Sequence, residues 1–292
     1  MSDRLLIVTG DDFGAAREVN EGIVAAHRRG ILTSASLMVT GEAVDEAVRL
    51  ARGNPDLAVG LHLVLVQGRP AAPAAEIPLL VRPDGLFRDQ PIPTGLRHAA
   101  TWLRRDGRVQ LAREIAAQFD AFERTGLSLS HVDGHCNMHM HPMVLPLVLE
   151  QAVRRGVRGV RLTRDPLLAA LRLDPLHALR KVGEGVVFGV LGRWAAPRLG
   201  AAGIVTTDRV LGMHQTGRLS EAHLLAMVRH LAPGTTEIYC HPATATAPVL
   251  APYQRGYRGP DEIAALTSAK VRAAIEAGGI RLGRYADLSG AE

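Results

Sequence analysis

An apolar run near the start of the chain leads into two adjacent carboxylates, and this junction constrains the fold most. Residues 5–8 read Leu-Leu-Ile-Val, a short aliphatic run that predicts a strand buried on both faces. Asp11 and Asp12 follow at its carboxyl end, the edge where parallel α/β folds place their functional groups. Because side chains alternate along a strand, the two carboxylates converge only if the backbone turns, which Gly10 and Gly14 are expected to permit. The alternative is a polar loop whose aspartate caps the next helix.

Strand-like and helix-like patterns alternate along most of the chain. Short aliphatic runs are separated by segments with apolar residues every three or four positions, at the spacing of α/β domains. The predicted strands are 5–8, 32–39, 57–65, 159–162, 236–242 and 280–282, and the predicted helices are 18–29, 43–52, 109–124, 143–155, 220–231, 261–266 and 267–277. No linker or internal repeat divides the sequence. We therefore expect one α/β domain over residues 1–292.

Two segments depart from this alternation. Residues 67–94 contain six prolines and predict a long, loop-rich excursion with a functional role. Residues 167–203 predict a basic, apolar insertion, and the stretch from 154 to 198 holds ten Arg or Lys residues against three Asp or Glu. Such a segment can lie on an anionic membrane surface or cover a lipid-like substrate. A solvated helical hairpin explains the same composition equally well.

Composition excludes several classes of protein. The formal net charge is +5, but aromatic residues make up only 4% and do not alternate with basic ones, so we expect no nucleic-acid binding. Cys136 and Cys240 form no CxxC pair, and both are expected to be buried thiols. The N-terminus lacks the apolar core of a signal peptide, and no run is long enough to span a bilayer. A cytoplasmic location is therefore expected.

Histidine and aspartate recur where apolar strands meet loops. His62 lies in the third predicted strand, and His241 lies near the end of the strand 236–242. A single histidine in such a place is usually a hydrogen-bonded structural group. The recurrence of His and Asp at several strand ends indicates a shared site, because a barrel collects its functional groups there. Carboxylates and imidazoles are the ligands of a hard or borderline divalent metal.

Four histidines lie between residues 131 and 141. His131, Asp133 and His135 share one face if this segment is extended, whereas His135 and His139 share a face if it is helical. The sequence leaves both geometries open. An aspartate beside a ligating histidine often orients the imidazole without binding the metal, so Asp133 is a candidate for that role.

These stretches together resemble the YdjC-type (ChbG-like) carbohydrate deacetylases, in order over nearly the whole chain. The matching motifs are Thr-Gly-Asp-Asp-Phe-Gly at 9–14, Leu-Thr-Ser-Ala-Ser-Leu-Met at 32–38, Gly-Leu-His-Leu at 60–63, His-Val-Asp-Gly-His at 131–135 and His-Pro at 241–242. Within that family, the stretches 60–70, 73–80 and 237–244 are most similar to the hopanoid-biosynthesis-associated members (HpnK).

The resemblance implies a fold, a cofactor and a reaction. The fold would be a single-domain distorted (β/α) barrel of the polysaccharide-deacetylase-like type. One divalent metal ion would be held by Asp12, His62 and His135, with zinc favoured and magnesium or another divalent ion as alternatives. Asp11 would be the catalytic base and His241 the general acid in hydrolysis of an N-acetyl group to acetate and a free amine.

This chain departs from the family pattern just before its acidic pair and in its histidine-rich stretch. Thr9-Gly10 stands where relatives often read Asn-Ala, and Asn137 stands where relatives often carry a second imidazole. The second difference leaves His139 as an alternative third ligand, with His131 as a further candidate for the site.

Several functions remain open at this stage. The resemblance to the hopanoid-associated members implies an N-acetylglucosaminyl hopanoid lipid as substrate, and the basic apolar segment is compatible with peripheral contact at the inner membrane surface. A chitooligosaccharide is the ordinary substrate of the wider family. A metal-dependent phosphoesterase and a non-catalytic sugar-binding module are alternatives from other classes. The sequence is compatible with both a monomer and a homodimer.

Overall fold

Eight parallel strands form one curved sheet in the computed structural model, which describes residues 4–173 and 178–290. The sheet order is β5-β4-β3-β2-β1-β7-β6, and β8 pairs with the first half of β1. An isolated bridge between Gly159 and Val205 links the β5 edge to the segment before β6, so the two edges of the sheet approach each other. The strands are β1 (Arg4–Phe13), β2 (Ser34–Leu37), β3 (Ala58–Leu63), β4 (Leu129–Gly134), β5 (Gly159–Val160), β6 (Arg209–Leu211), β7 (Gly234–Cys240) and β8 (Arg281–Leu282).

Helices follow most of the strands and pack around the sheet. The buried apolar residues of the strands and helices form one main core cluster, consistent with the single α/β domain expected from the sequence. The helices are α1 (Arg17–Arg29), α2 (Val44–Arg52), α3 (Pro91–Trp102), α4 (Arg105–Arg124), α5 (Leu145–Arg154), α6 (Leu167–Leu173), α7 (Ala178–Ala201), α8 (Glu221–Arg229), α9 (Gly259–Leu266) and α10 (Ala269–Ala277).

The α/β barrel predicted from the sequence is confirmed, although two strands and a helix were not predicted. Each predicted strand and helix has an observed counterpart with similar bounds, whereas strands β4 and β6 had no predicted counterpart. Helix α3 was not predicted, because its start overlaps the proline-rich stretch that favoured a loop. Proline is tolerated in the first turn of a helix, where the missing N–H would have no partner in any case, and Pro91 and Pro93 lie there.

The segment 167–203 is helical in the structure. It contains α6 and α7, and residues 174–177 of this predicted insertion lie outside the described residues. Among the residues described, no helix combines the length and apolar character needed to cross a bilayer.

The proline-rich segment after β3 is fastened to α4 by two buried polar side chains. The carboxylate of Glu114 accepts hydrogen bonds from the backbone N–H groups of Ala71 and Ala72, each at 2.9 Å. Gln118 bonds to both backbone groups of Val64 and donates to Glu114 at 2.7 Å. These bonds fix the start of the loop that follows β3, and that loop carries a residue of the candidate site described below.

Glu114 is expected to make stability depend on pH. Burial raises the pKa of Glu114 to about 7, although its three hydrogen-bond donors act to lower it. The folded state therefore holds this proton more tightly than the unfolded state, and the stabilisation present below pH 4.5 is lost as the pH rises towards 7. We expect Glu114→Gln to remove this loss, which amounts to at most about 1.4 kcal/mol per pH unit.

Urea unfolding of both proteins between pH 4.5 and 7.5 measures the difference. Glu150→Gln, an exposed carboxylate on α5, is the matched control and should keep the wild-type profile. Parallel profiles for wild type and Glu114→Gln would contradict the assignment.

Candidate metal and active site

Strand β1 delivers two consecutive carboxylates to one end of the sheet, as the sequence predicted. The turn that this requires occurs at Asp12 itself, which has a left-handed backbone with φ of 63°, and continues at Gly14 with φ of 89°. Aspartate is one of the few non-glycine residues that tolerate this region. Gly10 has a different role from the expected one. A Cβ there would lie 2.8 Å from Ile23, so this glycine permits the close packing of α1 on the strand.

Three side chains from separate segments converge at the carboxyl ends of β1, β3 and β4. The Asp12 carboxylate oxygen Oδ1 lies 3.0 Å from His135 Nδ1 and 3.3 Å from His62 Nε2. All three residues are buried, and their ligand atoms lie within 4.8 Å of one another. The structure thus brings together the three residues that the family resemblance implied as metal ligands.

Each of these three side chains has an outer hydrogen-bond partner. Asp133 Oδ1 accepts from His62 Nδ1 at 2.7 Å, Gln67 accepts from His135 Nε2 at 2.9 Å, and Gln254 donates to Asp12 Oδ2 at 2.8 Å. One atom of each side chain is left facing the others: Asp12 Oδ1, His62 Nε2 and His135 Nδ1. Partners of this kind are typical around metal ligands, because they fix the tautomer and the ring orientation. The donor set therefore fits a borderline divalent cation such as zinc.

A buried arginine stabilises the second carboxylate of the pair. Arg161 follows β5 and makes a bidentate ion pair with Asp11 at 2.7 and 2.8 Å. The same guanidinium lies 2.7 Å from Asp133 and 3.0 Å from Glu237. Ser36 on β2 donates to both Asp11 and Asp133, at 3.0 and 2.8 Å. Asp11 is therefore held away from the histidine cluster by charge and by hydrogen bonds, although one of its oxygens lies within 4.8 Å of a His62 ring nitrogen.

Electrostatics favour protons or a cation at the histidine cluster. Burial alone would lower the pKa of His62, but the Asp133 charge and the hydrogen bonds to Asp12 and Asp133 raise it to about 10. The pKa of His135 is likewise raised above its usual range, because Cys136 and Asp12 outweigh the effect of burial. Burial would raise the pKa of Asp12, yet the two imidazoles hold it well below its ordinary value.

A cavity of about 220 Å³ opens beside the cluster. Its lining includes Asp11, His62, His135 and His241 from the sheet side, and Glu184 from α7. His241 follows β7, and its ring has no hydrogen-bond partner among the described residues. Burial lowers the pKa of this imidazole, although the Asp12 and Asp11 charges act in the opposite direction. The ring is thus neutral at neutral pH and free to exchange a proton with a molecule in the cavity.

The remaining candidate histidines lie outside the cluster of ligand atoms. The ring of His131 stacks on Tyr285 at a centroid distance of 4.6 Å. The ring of His131 also covers Gly60, where a Cβ would lie 2.5 Å from it. His139 donates from Nε2 to the carbonyl of Arg161 at 2.9 Å. Asn137, which replaces a family imidazole, accepts from Thr163 at 2.7 Å.

The prediction of two buried thiols was wrong for one cysteine. Cys240 is buried, but Cys136 is exposed. The residues after His135 form a tight turn with left-handed backbone at Cys136 and Asn137 rather than a continued strand, so strand alternation does not apply there. Sequence reasoning also missed several residues around the site: Ser36, Gln67, Arg161, Glu237, Gln254 and Tyr257. Loop glutamines carry no sequence signal, and Arg161 could have been found only as a basic residue within the apolar predicted strand 159–162.

The fold and the site define a class of protein: a parallel α/β domain with a buried Asp-His-His cluster beside a second, arginine-paired aspartate. Known proteins with related sequences are consistent with this class. The YdjC-like protein family matches residues 5–277, and the chain belongs to this family. A chitooligosaccharide deacetylase of Salmonella paratyphi B is 31% identical over 98% of this chain and 100% of its own length.

Two further relatives support the assignment. A carbohydrate deacetylase of Brevibacillus brevis is 43% identical, over 50% of this chain and 55% of its own length. A crystal structure from Enterococcus faecalis, named for cellobiose-phosphate cleavage, has a TM-score of 0.73 and 27% identity, and covers 98% of this chain and 99% of its own.

Arg161 is expected to be essential for stability. Arg161→Met would leave Asp11, Asp133 and Glu237 buried with no cation between them, which should cost about 3–5 kcal/mol of unfolding free energy. Urea denaturation at pH 7 measures the loss. Arg164→Met, an exposed arginine three residues away, is the control and should change stability by less than about 0.5 kcal/mol. If Arg161→Met does not fold, Arg161→Lys replaces it, because lysine keeps the positive charge without the bidentate geometry and should fold with reduced stability. A wild-type urea midpoint in either variant would refute the prediction.

Proposed function

We propose that this protein is a metal-dependent deacetylase that hydrolyses the N-acetyl group of an N-acetylglucosaminyl substrate. The relatives in its family are named as carbohydrate and chitooligosaccharide deacetylases, enzymes that hydrolyse a carbon–nitrogen amide bond. The observation that carries the proposal is the cluster of Asp12, His62 and His135, whose two histidines line a small cavity together with the separate carboxylate of Asp11. A bound divalent ion would supply Lewis acidity and an activated water at this place.

The residues around the cavity divide the remaining work. Asp11 is the proposed base that accepts the proton of the attacking water, and its bidentate pair with Arg161 fixes its orientation. His241 is the proposed general acid. Because His241 is neutral at neutral pH, the proton balance closes when the proton that Asp11 takes from the water passes to His241, which lines the same cavity, and from there to the departing amine. The cavity volume is below the range typical of drug-sized ligands, which suits entry of a single sugar residue.

The first test is acetate release, combined with removal of the base. Asp11→Asn should retain the metal but lower turnover by about 10²–10⁴-fold, since a positioned general base contributes that factor. Acetate release from N,N′-diacetylchitobiose and bound metal are measured on the same preparations, with and without a chelator. Asp56→Asn, an exposed carboxylate far from the cavity, is the control. Ordinary turnover in Asp11→Asn would exclude Asp11 as the base, and a metal content near two per chain would favour the phosphoesterase alternative.

For the substrate, we propose an N-acetylglucosaminyl hopanoid lipid, with this chain in the hopanoid-associated (HpnK) subgroup of the family. Helices α3 and α7 both pack against the turn that carries His135, and both expose large apolar side chains to solvent. The exposed residues are Ile92, Leu96 and Leu103 near α3, and Leu179, Val182, Val186, Val187 and Val190 on α7. Helix α7 also contributes Glu184 and Phe188 to the cavity lining. A lipid tail or a membrane surface could cover these side chains while the sugar enters the cavity.

The same arrangement suggests a cytoplasmic protein with peripheral contact at the inner membrane surface. Arginines on α7 would favour anionic headgroups, at Arg180, Arg193 and Arg198. A soluble chitooligosaccharide is the second candidate substrate, favoured by the full-length similarity to the Salmonella enzyme. The two candidate substrates differ in whether the exposed surface of α7 contacts a lipid tail or a membrane during turnover.

The double variant Val186→Ser/Val190→Ser tests the lipid substrate. It should weaken binding to anionic lipid vesicles and reduce kcat/KM for the N-acetylglucosaminyl lipid, because it removes apolar area from the exposed face of α7. Activity on N,N′-diacetylchitobiose should be unchanged. Val109→Ser/Val153→Ser is the matched control, since these valines are 53% and 54% exposed on other helices, against 59% and 60% for the pair on α7. Equal vesicle binding and equal lipid turnover in all proteins would leave chitooligosaccharide as the preferred substrate.

A further inference from the structure

Two glutamines from separate surface loops contact the proposed metal ligands. Gln67 lies in the loop after β3 and donates from Nε2 to the carbonyl of Asp89 at 2.7 Å. This bond directs its Oε1 atom towards His135, whose Nε2 donates to it at 2.9 Å. Gln254 lies in the loop between β7 and α9, and its Nε2 donates to Asp12 Oδ2 at 2.8 Å.

These contacts select which ligand atoms remain available. Once Nε2 of His135 carries the proton given to Gln67, Nδ1 keeps its lone pair and lies 3.0 Å from Asp12 Oδ1. Gln254 occupies Oδ2 of the same carboxylate and so leaves Oδ1 towards the two histidines. Each glutamine thus prevents its partner from presenting the alternative atom to a cation.

The third ligand is held differently. His62 is oriented by Asp133, which lies on the adjacent strand of the sheet and is itself bonded to Ser36 and Arg161. His135 and Asp12 depend on loops instead. The two loops contact each other, because Tyr253 Oη lies 3.3 Å from the Asp89 carboxylate. Order in these loops is therefore coupled to the geometry of two of the three ligands.

Backbone strain supports a role for Gln67 beyond packing. Four non-glycine residues of the described chain have left-handed backbone: Asp12, Gln67, Cys136 and Asn137. All four belong to the ligand cluster, its hydrogen-bond partners or the turn after His135. Glutamine has no special tolerance for this conformation, and such strain is retained where the surrounding structure imposes a geometry.

We propose that Gln67 and Gln254 are positioning residues that set the affinity of the site for a divalent metal ion, one through His135 and the other through Asp12. The inference rests on the proposed metal-dependent function and adds the two loops to it. The glutamines do not contact the reacting atoms. Their effect is on the occupancy of the site by metal.

Isothermal titration of zinc into chelator-stripped protein tests the inference. Gln67→Leu and Gln254→Leu should each weaken zinc binding by about 10–100-fold, the usual effect of losing a hydrogen-bond partner of a metal ligand. Their urea midpoints in chelator should stay near the wild-type value, which separates a loss of zinc affinity from a loss of the fold. If Gln67→Leu does not fold, Gln67→Gly replaces it, since glycine accepts the backbone conformation without strain.

Gln110→Leu is the matched control. Gln110 accepts from the backbone N–H of Leu79 at 2.8 Å, so it fastens the same proline-rich loop without contacting a ligand. Its zinc affinity should equal that of the wild type. Wild-type zinc affinity in both glutamine variants, or an equal loss in Gln110→Leu, would overturn the positioning role. Absence of zinc binding in the wild-type protein would instead overturn the proposed function.

Discussion

A single buried guanidinium holds the interior of this site together. Arg161 contacts carboxylates from β1, β4 and β7, while its own backbone follows β5. The four strands are far apart in sequence and span the curved sheet. Burying carboxylates without a cation would cost several kcal/mol each, so the sheet can close over them only with the arginine in place. The position of Asp11, and with it the proposed base, is therefore a consequence of how the sheet closes.

The charge balance of this interior explains why the histidine cluster suits a cation. Four buried carboxylates lie in this interior, at Asp11, Asp12, Asp133 and Glu237, and Arg161 pairs with all of them except Asp12. The raised pKa of both His62 and His135 shows that protons on the imidazoles can supply the missing positive charge. A divalent ion bound among the same atoms would supply it equally, and would displace those protons. Protons and a metal ion therefore compete to neutralise the same negative charge, which the buried carboxylates carry in excess of the single arginine.

Local patterns in the sequence predicted most of the fold and the central part of the site. Aliphatic runs and helical periodicity depend on neighbouring residues, so most strands and most helices could be placed, and the acidic pair marked the end of β1. The contacts of Arg161, Gln67 and Gln254 join residues up to 242 positions apart, and no local pattern encodes them. Two local patterns were misleading. The prolines at the start of α3 favoured a loop, although packing makes this segment helical. Strand alternation predicted a buried Cys136, although the chain turns at 135–140 and exposes it.

The left-handed backbone at Asp12 connects these points. On a regular strand, Asp11 and Asp12 would point to opposite faces, and only one could reach the interior. With φ of 63° at Asp12, the Asp11 carboxylate is directed to Arg161 and the Asp12 carboxylate to the two histidines that line the cavity. The strain is stabilised by contacts that exist only in the complete fold: Gln254 and His135 on Asp12, and Ser36 and Arg161 on Asp11. Two adjacent carboxylates can have separate roles here because distant parts of the chain hold each of them in a different direction.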